Sequence, residues 1–110
     1  MEIKTKKDKD GTIVAVTGRL DALSAPDFEK GISALLKDGE TRLIINLREL
    51  EYISSAGLRS ILTTAKQLKA SNGELILAGL RGPVEDVFRM SGFYSIFTVV
   101  DSEEAIKKKV

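Results

Sequence analysis

A run of small side chains, Ser54-Ser55-Ala56-Gly57, separates Tyr52-Ile53 from Leu58, the first residue of a long apolar repeat. A serine hydroxyl where a helix begins can do three things. It can cap, accepting a bond from an amide two or three residues on and contributing about 1 kcal/mol. With small neighbours it can leave the free amides and the positive end of the helix dipole open to an anion. It can also accept a phosphoryl group, because the product meets those same amides. For Ser55 the residue types leave the cap-only and the acceptor readings both open. A phosphate there would add about −1.5 to −2 charge to a small and nearly neutral patch, repelling a docked partner.

What the chain lacks narrows the chemistry. It has no His and no Cys in 110 residues, so it can build no Ser-His-Asp triad, histidine base, thiol nucleophile, CxxC centre or ordinary zinc site. It carries no GxxxxGK[ST] phosphate loop and no clear metal cluster. The expectation is a substrate and ligand of other enzymes rather than an enzyme, with no cofactor and no metal. A nucleotide-binding module remains a rival reading, suggested by the small-residue helix start after a strand.

Charge excludes further classes. Lys plus Arg is 17 against 16 for Asp plus Glu, which gives no global attraction to nucleic acid or an anionic membrane. No run approaches the ~18 apolar residues of a membrane span, and Met1 to Asp10 is charged rather than signal-like, so no membrane insertion and a cytoplasmic location are expected. Lys107, Lys108 and Lys109 complement the end of a helix dipole. Phe93, Tyr94 and Phe97 read as core filling, Tyr52 and Ile53 as core residues, and Glu49 and Glu51 as solvent-facing loop carboxylates.

Residues 1–110 hold one domain. Glu2 to Lys6 and Thr12 to Leu20 flank Asp10-Gly11, a hairpin signal. Ser24 reads as a cap for a helix with Pro26 in its first turn and Phe28, Ile32, Leu35 and Leu36 on one face, ending near Gly39. Leu43-Ile44-Ile45 reads as the most buried strand. After a connection, Leu58, Ile61, Leu62, Ala65 and Leu68 make Ser55 to about Lys69 a helix that Asn72-Gly73 ends. Glu74 to Ala78 reads as a strand, and Pro83 opens a helix carrying Val84, Val87 and Phe88 with Gly92 as its stop. A β-like run at Ile96 to Val100 and a helix from Asp101-Ser102 follow. This order predicts an α/β fold: a mixed sheet of four to five strands, with about four helices packed mainly on one face.

The run Tyr52-Ile53-Ser54-Ser55-Ala56-Gly57-Leu58-Arg59, preceded by Leu43-Ile44-Ile45-Asn46-Leu47, resembles the signature of the STAS domain, in particular that of the bacterial anti-sigma factor antagonists. Gly18-Arg19-Leu20-Asp21-Ala22 with Ala25-Pro26 resembles that family's first block, and the likeness covers nearly the whole chain. It implies partner switching. The unphosphorylated protein binds a serine kinase that doubles as an anti-sigma factor, a sigma factor is freed, phosphorylation of one serine ends the complex, and a serine phosphatase resets it. The acceptor maps onto Ser55. The family often has Asp just before it, where this chain has Ser54, which leaves Ser54 as a less favoured acceptor. Partner contact is expected from Asp21, Ser54, Ser55, Ala56, Gly57, Leu58 and Arg59. A scaffold subunit of a lipid-transport or stress-sensing complex is the other reading that the same resemblance allows.

Overall fold

Alternation in β2 (Gly11–Leu20) decides the layering, because its side chains are apolar on both faces. Thr12, Val14 and Val16 point one way and Ile13 the other, and all four are buried. The computed structural model describes residues 1–9, 11–92 and 95–102. Within them β1 (Glu2–Asp8) pairs antiparallel with β2, from Glu2 opposite Thr17 to Asp8 opposite Gly11, so the expected hairpin is present. Asp10 of the turn signal lies outside the described residues.

β2 is long enough to serve two parallel partners in succession on its far edge. Thr12 to Ala15 pair with β3 (Arg42–Asn46), and Gly18 to Leu20 pair with β4 (Leu50–Ile53). Between the two, the chain folds back on itself: the Arg48 amide donates to Asn46 Oδ1 at 2.9 Å, and the Leu50 amide to the Leu47 carbonyl at 3.1 Å. β3 then pairs with β5 (Glu74–Ala78), and β5 with β6 (Thr98–Val100), both parallel. The order β1-β2-β3-β5-β6, with β4 against β2, is the mixed sheet that was expected. The sixth strand, β4, falls in the stretch read as a connection.

Three helices are described: α1 (Ala25–Lys37), α2 (Ser55–Ala70) and α3 (Gly82–Met90). Phe28 and Ile32 of α1, Ile61 and Leu68 of α2, and Val84 and Phe88 of α3 share one core with Val14, Val16, Leu43, Ile45, Leu75 and Leu77 of the sheet. All three helices therefore lie on one face, as the sequence predicts. The opposite face is apolar too: Ile13, Ile44, Ile76, Ala78 and Val100 form a second buried cluster. Parallel strands covered on both sides read as near-continuous apolar runs, which is how Leu43-Ile44-Ile45 reads. Phe97 meets Phe88 edge to face with ring centroids 6.0 Å apart, as core filling requires. Phe93, Tyr94 and the helix expected after Asp101-Ser102, with Lys107 to Lys109, lie outside the described residues.

The buried face of α2 is rotated from the expected stripe. Ser60 and Thr64 are buried, whereas Leu62 is only half-buried. Polar side chains are tolerated there because each finds a partner: Ser60 Oγ donates to Glu29 Oε1 of α1 at 3.0 Å, and Thr64 Oγ1 to the Ser60 carbonyl at 3.0 Å. Asn72, at φ 61°, turns the chain out of α2, and Gly73 donates to the Leu68 carbonyl, so the stop falls where the sequence put it.

Gly57 sets how closely the start of α2 approaches the sheet. A Cβ at this position would lie 2.5 Å from the Leu20 carbonyl oxygen and 2.9 Å from Ile53 Cγ1. Gly57→Ala would gain about 1 kcal/mol of helix propensity, but a backbone carbonyl cannot move aside as a side-chain tip can, and overpacking of this kind costs about 1–3 kcal/mol. The expected net result is a less stable protein, its Tm lower by roughly 4 °C or more. Calorimetry showing an unchanged or raised Tm would contradict this contact.

At the other end of the sheet, Glu40 accepts from Thr12 Oγ1 at 2.7 Å and pairs with Lys7 Nζ at 2.8 Å. The Lys7 bond, with help from Thr12, holds the Glu40 carboxyl below its ordinary value, and the bond to Glu40 raises the Lys7 ammonium. A carboxyl depressed in the folded state stabilises above its unfolded pKa and stops doing so as the pH falls through the folded one. The raised Lys7 works the other way, stabilising below its unfolded pKa until the pH climbs through the folded one. In Glu40→Gln the loss of stability on acidification below 4.5, the ordinary value for this group, should be shallower than in the parent. Urea midpoints measured from pH 6 downward test this, and parallel curves would exclude it.

Candidate functional site

The carboxyl ends of β2 and β4 meet where α2 begins. The Ser54 amide donates to the Leu20 carbonyl at 3.0 Å, carrying the β2–β4 ladder one residue past Ile53. Ser54 is itself extended, at φ −98° and ψ 176°, and its Oγ accepts from the Gly57 amide at 3.3 Å. Ser54 is therefore the N-cap, a correction to the reading of Ser55 as the cap. Ser55 is the first helical residue, exposed to solvent, with no part in capping. The two serines differ in environment although they are adjacent: one hydroxyl is engaged with the backbone and half-buried, the other faces out.

The remaining residues of the segment divide in the same way. Ala56 is half-buried, Gly57 is buried under the Leu20 carbonyl, and Leu58 is 7% exposed within the main core, showing only an edge. Arg59 is exposed one turn beyond Ser55. Ser55, Leu58, Arg59, Leu62 and Ser91 together line an open depression of about 280 Å³ between α2 and the end of α3. Its floor is leucine, and Arg59 carries the one charge among these lining residues.

Asp21 lies in the loop after β2, tied to the serine segment through its neighbour Leu20. Its carboxylate serves its own turn. Oδ1 accepts from the Leu23 and Ser24 amides at 3.0 and 3.2 Å, and Oδ2 sits 3.8 Å from Arg19 Nε. Those backbone donors, the Ser24 amide foremost, hold it below the usual carboxylate range. Ser24 makes no cap bond to α1, contrary to the sequence reading; its Oγ donates to the Arg19 carbonyl at 2.8 Å and accepts from the Asp21 amide at 2.9 Å. Asp21 and Ser24 thus lock the loop, with the Asp21 side chain left partly exposed.

Two surface residues escaped the sequence reading. Leu23, at the tip of this locked turn, is 90% exposed, an apolar side chain held out on a fixed backbone. Tyr52 is 40% exposed rather than a core residue, and the Arg19 guanidinium lies 4.1 Å from its ring centroid. The signal for Leu23 was an isolated leucine between two turn-forming residues. Nothing in the sequence separated Tyr52 from Ile53, which is in the core. Glu49 and Glu51 are exposed, as expected, and border a separate depression beside Arg81 and Pro83. No helix among the described residues is long and apolar enough to cross a membrane.

Comparison with known proteins places this geometry. The family model described as the STAS domain matches residues 2–106. A Bordetella bronchiseptica protein named "Putative anti-sigma factor antagonist BtrV" is 44% identical over 105 residues, covering 94% of this chain and 90% of that one. The Thermotoga maritima protein TM1081 superposes with a TM-score of 0.91 at 23% identity, over 98% of this chain and 93% of that chain. The Bacillus cell fate determinant SpoIIAA in its phosphorylated form superposes with a TM-score of 0.75 at 23% identity, over 99% and 100%. With one family model spanning all but its ends, and with a relative at 44% identity, the chain belongs to the STAS domain family, among relatives named as anti-sigma factor antagonists.

Proposed function

We propose that this protein is an anti-sigma factor antagonist, a cytoplasmic regulator rather than an enzyme, and that Ser55 is its phosphorylation site. The observation that carries the reading is the division of labour between the two serines. Ser54 Oγ is occupied by the Gly57 amide, while Ser55 is exposed at the first helical position and open to an incoming active site. The name carried by BtrV and the phosphorylated form of SpoIIAA support it.

In this reading the unphosphorylated protein docks its Ser55 face on a serine kinase that also holds a sigma factor, and the sigma factor is released. The kinase then transfers the γ-phosphoryl group of ATP to Ser55 Oγ. An O–P bond forms as the bond to the leaving ADP breaks, and the hydroxyl proton passes to a base on the kinase. The product bears about −1.5 to −2 charge where the free protein had none. A hundredfold fall in kinase affinity needs only about 2.7 kcal/mol, which one desolvated or like-charge phosphate contact supplies. Ser55 stands on a helix whose core face is packed, so the switch requires a change of surface charge and no refolding. A serine phosphatase restores the binding form.

The serine variants separate cap from acceptor. Ser55→Ala should stay within about 0.5 kcal/mol of the parent in stability, bind the kinase, and take no phosphate. Ser55→Asp places an acid in the first turn, where the dipole favours it, so it should fold while binding the kinase roughly a hundredfold more weakly. Ser54→Ala should lose about 1 kcal/mol of cap yet still be phosphorylated at Ser55. Kinase reactions with ATP, read by mass spectrometry, and calorimetric titration of the kinase test all three. Phosphate found on Ser54, or a Ser55→Asp variant that binds like the parent, would sink the proposal.

A further inference from the structure

Ser55 and Arg59 are four residues apart on α2, both exposed, and they wall the same depression. Side chains at i and i+4 on a helix stand about 5–6 Å apart at Cβ, and an anion placed N-terminal to a cation is the favourable order. Among the described residues Arg59 enters no ion pair or hydrogen bond, whereas Arg19, Arg42 and Arg89 each face a carboxylate and Arg81 donates to the Arg48 carbonyl. Among the described residues no carboxylate lines the depression to compete for it, and Leu58 and Leu62 line it beside the two side chains. A guanidinium is also the side chain best matched to two phosphate oxygens at once.

We propose that Arg59 is the intramolecular clasp of phosphorylated Ser55. The guanidinium turns back toward the N-terminus of α2 to form a bidentate pair with the phosphate. The inference rests on the reading of Ser55 as the acceptor and adds how the modified state is held. One modification then changes two surface groups: the hydroxyl becomes an anion, and the free cation beside it is consumed. A partner that used the neutral hydroxyl and the free Arg59 loses both.

The test needs no kinase, so its failure and the failure of the acceptor reading are distinguishable. Phosphoserine is installed at position 55 during translation, in the parent and in Arg59→Gln and Arg59→Lys backgrounds, and the phosphate is titrated by 31P NMR at low salt. With Arg59 present the second ionisation of the phosphate should fall about half a unit below its value in Arg59→Gln, a roughly threefold stabilisation of the dianion. Arg59→Lys should restore part of the shift, and about 1 M salt should remove most of it. Urea melts of the same proteins form a double-mutant cycle, in which phosphorylation should raise the midpoint more when Arg59 is present. Superimposable 31P titrations in the parent and Arg59→Gln, with no coupling in the cycle, would overturn the clasp.

Discussion

The close approach of Gly57 to the Leu20 carbonyl governs the functional end of this molecule. With hydrogen in place of a Cβ, the first turn of α2 can settle onto the junction of β2 and β4. That carbonyl also receives the Ser54 amide. Fixing Ser54 in an extended conformation turns its Oγ back toward the Gly57 amide and makes it the cap, and the next residue must then be the first of the helix. Ser55 is exposed for that reason. A bulkier residue at 57 would lift the helix start from the sheet, weaken the cap and blur which hydroxyl faces outward.

The rest of the fold keeps that junction rigid. The sheet is covered by apolar side chains on both faces, with Ile13, Ile44 and Ile76 buried behind the strands and the helices in front. β2 contributes to both halves of its own edge, pairing first with β3 and then with β4, so the serine segment hangs from the longest strand. On its other side lies the turn at Asp21, closed by two backbone amides on one carboxylate oxygen. Such an element reports a change of charge without changing shape. A rigid, nearly neutral face is a surface on which one dianion dominates.

Most of this architecture could be read before any coordinates, and what escaped has identifiable causes. Leu43-Ile44-Ile45 announced a central strand because both of its faces are buried, and Asn72-Gly73 marked a stop because the chain needs a left-handed residue there. β4 was hidden because only its end residues, Leu50 and Ile53, are buried, with two exposed residues between them and no alternation to detect. The cap was misplaced by one residue because adjacent serines have the same capping tendency; only the bond from the Ser54 amide to Leu20, a contact distant in sequence, chooses between them. Ser60 and Thr64 disguised the buried face of α2. Hydrophobicity patterns favour leucine over hydroxyls, and the pairing of Ser60 with Glu29 depends on where α1 lies. The site's spacing was thus visible, while the assignment of roles within it was set by tertiary contacts.

The identity of residue 54 bears directly on how strong the proposed switch can be. An aspartate there would cap as well as serine does. It would also bring a negative charge beside the acceptor, so that with Arg59 nearby the patch would start close to neutral. With Ser54 the cap is uncharged, and among the described residues Arg59 is the one charge lining the depression. Adding about −1.5 to −2 to that single positive charge would invert the sign of the patch, whereas with aspartate at 54 a near-neutral patch would become negative. A partner selected to meet a free arginine beside an apolar floor then faces an opposed field at the same place. In the proposed switch, discrimination between the two states would come from that reversal of sign.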